Sequence, residues 1–121
     1  MKRLAVLLSG RGSNFLAIHE ACATRELPAE VVCVVSNKPD AQGLKKAREL
    51  GVPAFGIDHK QFSNRASHEA EVIATLERHE PDFVILAGYM RLLSSDFVAR
   101  FRHRVTNIHP SLLPSFPGID A

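Results

Sequence analysis

The sequence has little net charge, few cysteines and no long apolar run, and each shortage closes off a class of function. Fifteen basic against thirteen acidic side chains leave a formal charge of +2, too little to point to a nucleic-acid or membrane partner by charge alone. A phosphorylated small molecule stays open. The two cysteines, Cys22 and Cys33, lack CxxC spacing and nearby histidine ligands, so no metal is expected and buried thiols in a reducing cytosol are. No stretch approaches the roughly 20 apolar residues of a membrane span. Met1, Lys2 and Arg3 followed by Leu4 to Leu8 imitate a secretory signal, but the run is short, stops at a glycine turn and reads as a first strand. The expected location is the cytoplasm. Repeats and low-complexity segments are absent, and 45 % apolar with 23 % charged residues is the balance of an ordinary soluble globule. At 121 residues the chain is about one small domain, expected to span residues 1–121.

Four apolar runs organise what is there: Leu4 to Leu8, Val31 to Val35, Pro53 to Ile57 and Phe83 to Ala87. Nearly continuous aliphatic runs suit strands covered on both faces. Between them lie helical periodicities, such as Ala66, Ala70, Ile73 and Leu76 on one stripe. Ser13 or Asn14 is placed to cap a helix running to about Ala23, Ser63 or Asn64 the next long one, and Ser94 or Ser95 another. Gly43 and Gly51 bracket a short helix. With a fifth strand around Arg104 to Ile108, the alternation predicts an α/β fold, a Rossmann-like open parallel sheet with helices on both faces. Ligands of such sheets bind beyond the strands' carboxyl ends. The segments there, residues 9–14, 36–40, 58–65, 88–93 and 109–117, are therefore expected to line one crevice.

Two of these segments carry chemistry. Ser9-Gly10-Arg11-Gly12-Ser13-Asn14 joins a strand to a helix, so backbone amides from the glycine turn and the helix start can converge on an anion, phosphate being the natural guest. It lacks the Walker lysine and the third glycine of the dinucleotide pattern. The same glycines would also serve a plain tight turn with Ser13 as a cap. In Asn107-Ile108-His109-Pro110, Asn107 and His109 are two apart on a strand end and share a face, and the proline biases His109 toward an extended backbone. Histidine exchanges a proton near neutral pH and a carboxamide donates to a developing oxyanion, a pair suited to nucleophilic attack on a carbonyl carbon. His19, His59, His68, His79 and His103 read as surface or packing residues.

The segment from Asn107 to Pro114, Asn-Ile-His-Pro-Ser-Leu-Leu-Pro, resembles the signature of the folate-dependent formyltransferases. Residues 7–14, with Ser36-Asn37-Lys38 and residues 86–93, resemble the glycinamide ribonucleotide branch of that family, and the likeness covers the whole chain. The resemblance implies transfer of a formyl group from 10-formyltetrahydrofolate to the amine of glycinamide ribonucleotide in purine biosynthesis, without a metal, by a monomer or homodimer. It implies that Gly12, Ser13 and Asn14 hold the phosphate, that Met90, Arg91, Leu92 and Leu93 line the folate pocket, that Arg65 meets the folate's outer end, and that Asn107 and His109 are catalytic. Without it, Met90 to Leu93 read only as the approach to a helix and Arg65 as a solvated charge.

Family members continue beyond the point matching Ala121, with an aspartate that raises the catalytic histidine's pKa. The chain is thus expected to be the N-terminal portion of the fold, and the missing aspartate weakens the expectation of activity for these residues alone. A formyltransferase for another amine acceptor lacks the Ser-Gly-x-Gly-Ser-Asn loop, and a non-catalytic phosphate-binding fragment is the alternative from a different class.

Overall fold

The computed structural model describes residues 1–91 and 93–107; Leu92, Ile108 and His109, with the rest of the segment to Ala121, lie outside the described residues. Five strands and four helices alternate: β1 Lys2–Leu8, α1 Ser13–Ala23, β2 Ala29–Ser36, α2 Gln42–Glu49, β3 Ala54–Gly56, α3 Arg65–Arg78, β4 Phe83–Leu86, α4 Ser95–Arg100 and β5 Val105–Asn107. A single 3₁₀ turn, His59–Gln61, follows β3 and had no counterpart in the sequence pattern.

All strand pairs are parallel, in the order β3-β2-β1-β4-β5. The chain winds outward from β1 to β3, then returns to pair β4 with the other side of β1. The carboxyl ends of β1 and β4 therefore form the switch point of the sheet, the place where a doubly wound fold opens a crevice.

Strand β1 is central, and its apolar run is continuous because both faces are covered. Leu4, Val6 and Leu8 face a core with Phe15 and Ile18 of α1 and Leu44 and Ala47 of α2. Ala5 and Leu7 face the opposite core, with Val72 and Leu76 of α3 and Phe97 of α4. The helices thus lie on both faces. Cys33 is buried in the second core, while Cys22 is half-buried on α1, and both are free. Burial pushes their thiols up to about 12 and about 11, so both stay protonated near neutral pH and are poor nucleophiles.

The helix boundaries follow their caps. Asn64 accepts from the Ser67 N–H at 2.8 Å and starts α3; Ser94 accepts from the Phe97 N–H at 3.1 Å and starts α4. At the far end of α3, the Arg3 guanidinium donates to the carbonyls of His79 at 2.7 Å and Glu80 at 3.1 Å, while its backbone N–H donates to Asp82 at 2.8 Å. One arginine on β1 thus satisfies carbonyls that the helix end leaves unpaired and steers the chain into β4. Helix α1 departs from expectation. Neither Ser13 nor Asn14 caps it; Gly12, in a left-handed conformation with φ 81°, occupies the cap position without any side-chain acceptor.

Replacing Leu7, fully buried at the centre of the sheet, by alanine should cost about 2–5 kcal/mol by chemical denaturation. A loss under about 1 kcal/mol, below the range for a buried leucine, would show that β1 is not packed on both faces.

Candidate active site

The first strand-to-helix turn is glycine for two separate reasons. Gly12 needs its positive φ of 81°, and a Cβ there would lie 2.5 Å from the Cα of Gly43. Gly43 in turn would drive a Cβ to within 2.7 Å of the Leu8 side chain. The two glycines let the loop and the first turn of α2 touch backbone to backbone, and the Gly43 N–H donates to the Gly10 carbonyl at 3.0 Å. Held in this way, the loop presents the first turn of α1 with no side-chain cap and no acidic residue. The helix-start amides are left without an internal side-chain acceptor, and the dipole there favours an anion. The missing cap is the chemical opportunity. Ser13 is exposed and Asn14 half-buried beside it.

Beneath this loop a buried hydroxyl joins three strand-end segments. Ser9, 4 % exposed, donates to Oδ1 of Asn37, 3 % exposed, at 2.6 Å and accepts the Met90 backbone N–H at 2.8 Å. These residues follow β1, β2 and β4 respectively, so the bridge spans the switch point. It brings the Gly12 to Asn14 loop and the segment of Met90 and Arg91 to the same end of the sheet. Met90 is 76 % exposed, so its side chain is available to an apolar ligand face. Arg91 is half-buried, while Leu93 packs partly against the second core with Tyr89. Asn107 is exposed at the end of β5, in register with Leu86 just before this segment.

Arg65 belongs to α3. It opens α3 and lines a groove of about 810 Å³ between α3 and α4 with Glu69, Ser94 and Asp96 among its walls. Glu69 accepts from both the backbone N–H and the hydroxyl of Ser94, the former at 2.9 Å, which joins α3 to the start of α4. A second hollow of about 440 Å³ lies beyond β2 and β3, lined by Asn37, Lys38, Pro39, Asp40, Asp58, His59 and Lys60. Of the segments expected to line one crevice, residues 37–40 and 58–60 line this second hollow and Arg65 lines the groove between α3 and α4. His109 and Leu92 lie outside the described residues. No group of three or more possible metal ligands occurs among the described residues.

The sequence pattern placed Ser9 and Asn37 in the right segments but did not single them out; a small polar residue terminating an apolar strand is their only local signal. His68 was expected to be a surface or packing residue, and it packs: it is 3 % exposed, with its ring against Phe62. Its Nε2 lies 2.7 Å from the Ile57 carbonyl, so that nitrogen carries the proton and donates. Burial lowers its pKa below the ordinary 6.5, outweighing the rise from the Ile57 bond; Arg91 and His59 lower it further, and Asp58 opposes them.

The comparisons with known proteins agree with this architecture. Residues 2–121 match the sequence profile of the family described as formyl transferase. A trifunctional purine biosynthetic protein adenosine-3 of Drosophila melanogaster is 46 % identical over 98 % of this chain and 9 % of its own length. The phosphoribosylglycinamide formyltransferase of Escherichia coli is 44 % identical over 96 % of this chain and 55 % of its own. The crystal structure of phosphoribosylglycinamide formyltransferase from Brucella melitensis superposes with a TM-score of 0.85 at 44 % identity, over 98 % of this chain and 62 % of that one. The chain therefore spans a little over half the length of the bacterial relatives it matches.

The His68 environment predicts a sign. A histidine whose folded pKa lies below its unfolded value contributes stability that is complete above the unfolded value and is lost as pH falls through the folded one. Unfolding midpoints should therefore drop as pH is lowered below 6.5, and His68→Gln, which retains an N–H donor but does not titrate, should flatten that drop. An equally steep loss in the variant would contradict the assignment.

Proposed function

The chain belongs to the formyl transferase family, and from that premise we propose that it is the N-terminal part of an enzyme that formylates glycinamide ribonucleotide in purine biosynthesis. The donor is 10-formyltetrahydrofolate, bound as a co-substrate, and residues 1–121 form one structural unit of that enzyme. The observation that carries the reading is the uncapped start of α1 behind Gly12, at the same end of the sheet as Met90, which Ser9 ties to the end of β1. A phosphate fits the first feature, through amide donors and the helix dipole, and a donor bound at the second would lie at the same end of the sheet as that phosphate. The E. coli relative bears the name of this activity over almost all of this chain.

In this reading Gly12, Ser13 and Asn14 hold the ribonucleotide phosphate. Met90, Arg91, Leu92 and Leu93 line the folate pocket with main-chain and apolar contacts, and Arg65, which lines the groove between α3 and α4, meets the folate's outer end. The substrate's amine attacks the formyl carbon, and the carbonyl oxygen becomes an oxyanion that Asn107 and protonated His109 stabilise. Collapse of the tetrahedral intermediate breaks the bond from that carbon to the folate nitrogen. The attacking amine gives up a proton, and the departing nitrogen takes one from His109, directly or through water. Asn107, exposed at the end of β5, has the location this role needs. The role of His109 rests on its motif.

Replacing His109 by alanine in the full-length protein should leave binding of glycinamide ribonucleotide unchanged by calorimetry and lower turnover about 100- to 10,000-fold. Near-normal turnover would contradict the role. Binding without any formyl transfer by the unaltered full-length protein would instead favour a non-catalytic phosphate-binding module.

A further inference from the structure

Ser9 touches neither ligand in the proposed reaction, yet it lies between the two loops that hold them. Its one proton goes to Asn37 Oδ1 at 2.6 Å and its lone pair receives the Met90 N–H at 2.8 Å. The Ser9 and Asn37 side chains are both almost fully buried, so water cannot readily replace either partner. The bridge also has a direction. The Met90 amide donates to the hydroxyl, and the hydroxyl donates to Asn37 Oδ1.

The sheet explains why such a tie is needed. Backbone ladders hold β1, β2 and β4 in register up to Leu8, Ser36 and Leu86, but those ladders end where the loops begin. Past that point the separation between the Gly12 to Asn14 turn and the Met90 segment depends on loop contacts. One side of the turn is fixed by the Gly10–Gly43 hydrogen bond. On the side of β4, the Ser9 hydroxyl makes a direct bond to the Met90 backbone.

We propose that Ser9, oriented by Asn37, is a positioning residue that sets the distance between the phosphate loop and the folate segment, and hence between the attacking amine and the formyl carbon. The inference rests on the formyl-transfer reading above. On this proposal each ligand, bound alone, keeps its own contacts without Ser9, while their mutual alignment is lost. A displacement of about 1 Å between reacting groups is enough to cost about 100-fold in rate.

The test uses the full-length protein and the Ser9→Ala variant, with Ser9→Cys as a second variant that keeps the side chain's shape but donates weakly. Three quantities are measured: the separate dissociation constants for glycinamide ribonucleotide and for a folate analogue, the thermal midpoint, and kcat with both substrates saturating. The expected result is a fall in kcat of at least tenfold in Ser9→Ala, with each separate affinity within threefold of the unaltered protein. Should Ser9→Ala fail to fold, Ser9→Cys is expected to show the same split with a smaller fall in kcat. An unchanged kcat in a folded variant overturns the proposal, as does a loss of kcat matched by equal losses in both separate affinities, which marks a purely structural role. Absence of formyl transfer in the unaltered protein overturns the underlying reading as well, so the two failures are distinguishable.

Discussion

The structure depends on the backbone contact between Gly12 and Gly43. A side chain at either position would collide, with the Gly43 Cα at 2.5 Å from a Cβ on Gly12 and with Leu8 at 2.7 Å from one on Gly43. Because neither carries one, α2 packs directly against the turn after β1, and the turn is held in the left-handed conformation that only glycine adopts without strain. That conformation occupies the position where a serine or asparagine would otherwise cap α1. With glycine at the cap, the absence of a capping side chain costs the helix only roughly a few tenths of a kcal/mol, and it leaves donors facing the carboxyl end of the sheet. An uncapped helix start, suited to an anion, is thus a consequence of close packing.

Around this contact, long-range order is set by polar groups that reach across the sheet. Arg3 on β1 closes the end of α3, Glu69 of α3 holds Ser94 at the start of α4, and Ser9 joins the ends of β1, β2 and β4. The apolar runs decide which strands are buried, but these bonds decide where the loops beyond them stand. Arrangement of this kind suits a reaction in which two small molecules must be aligned and little else is required of the protein.

Much of this was legible in the sequence, for a physical reason in each case. Leu4 to Leu8 and Phe83 to Leu86 read as strands because both faces of a parallel sheet are covered, so no alternation interrupts them. Asn64 and Ser94 read as caps because their side chains act locally, within three residues. Ser13 and Asn14 misled for the opposite reason: local propensity favours them as caps, but the contact of Gly12 with Gly43, thirty-one positions away, prevails. The Ser9 bridge was not legible, since its partners are twenty-eight and eighty-one positions distant. Arg65 was expected to meet the folate's outer end; it opens α3 and lines a groove that also includes Ser94, the residue after Leu93. His109 stands on its motif alone.

The central claim is that the phosphate of a ribonucleotide is taken by the uncapped start of α1. The most direct measurement is a titration of isotopically labelled full-length protein with glycinamide ribonucleotide, followed by backbone amide chemical shifts. The account predicts the largest saturable changes at Gly12, Ser13 and Asn14. Changes centred instead on Lys38, His59 and Lys60, around the second hollow, would contradict it.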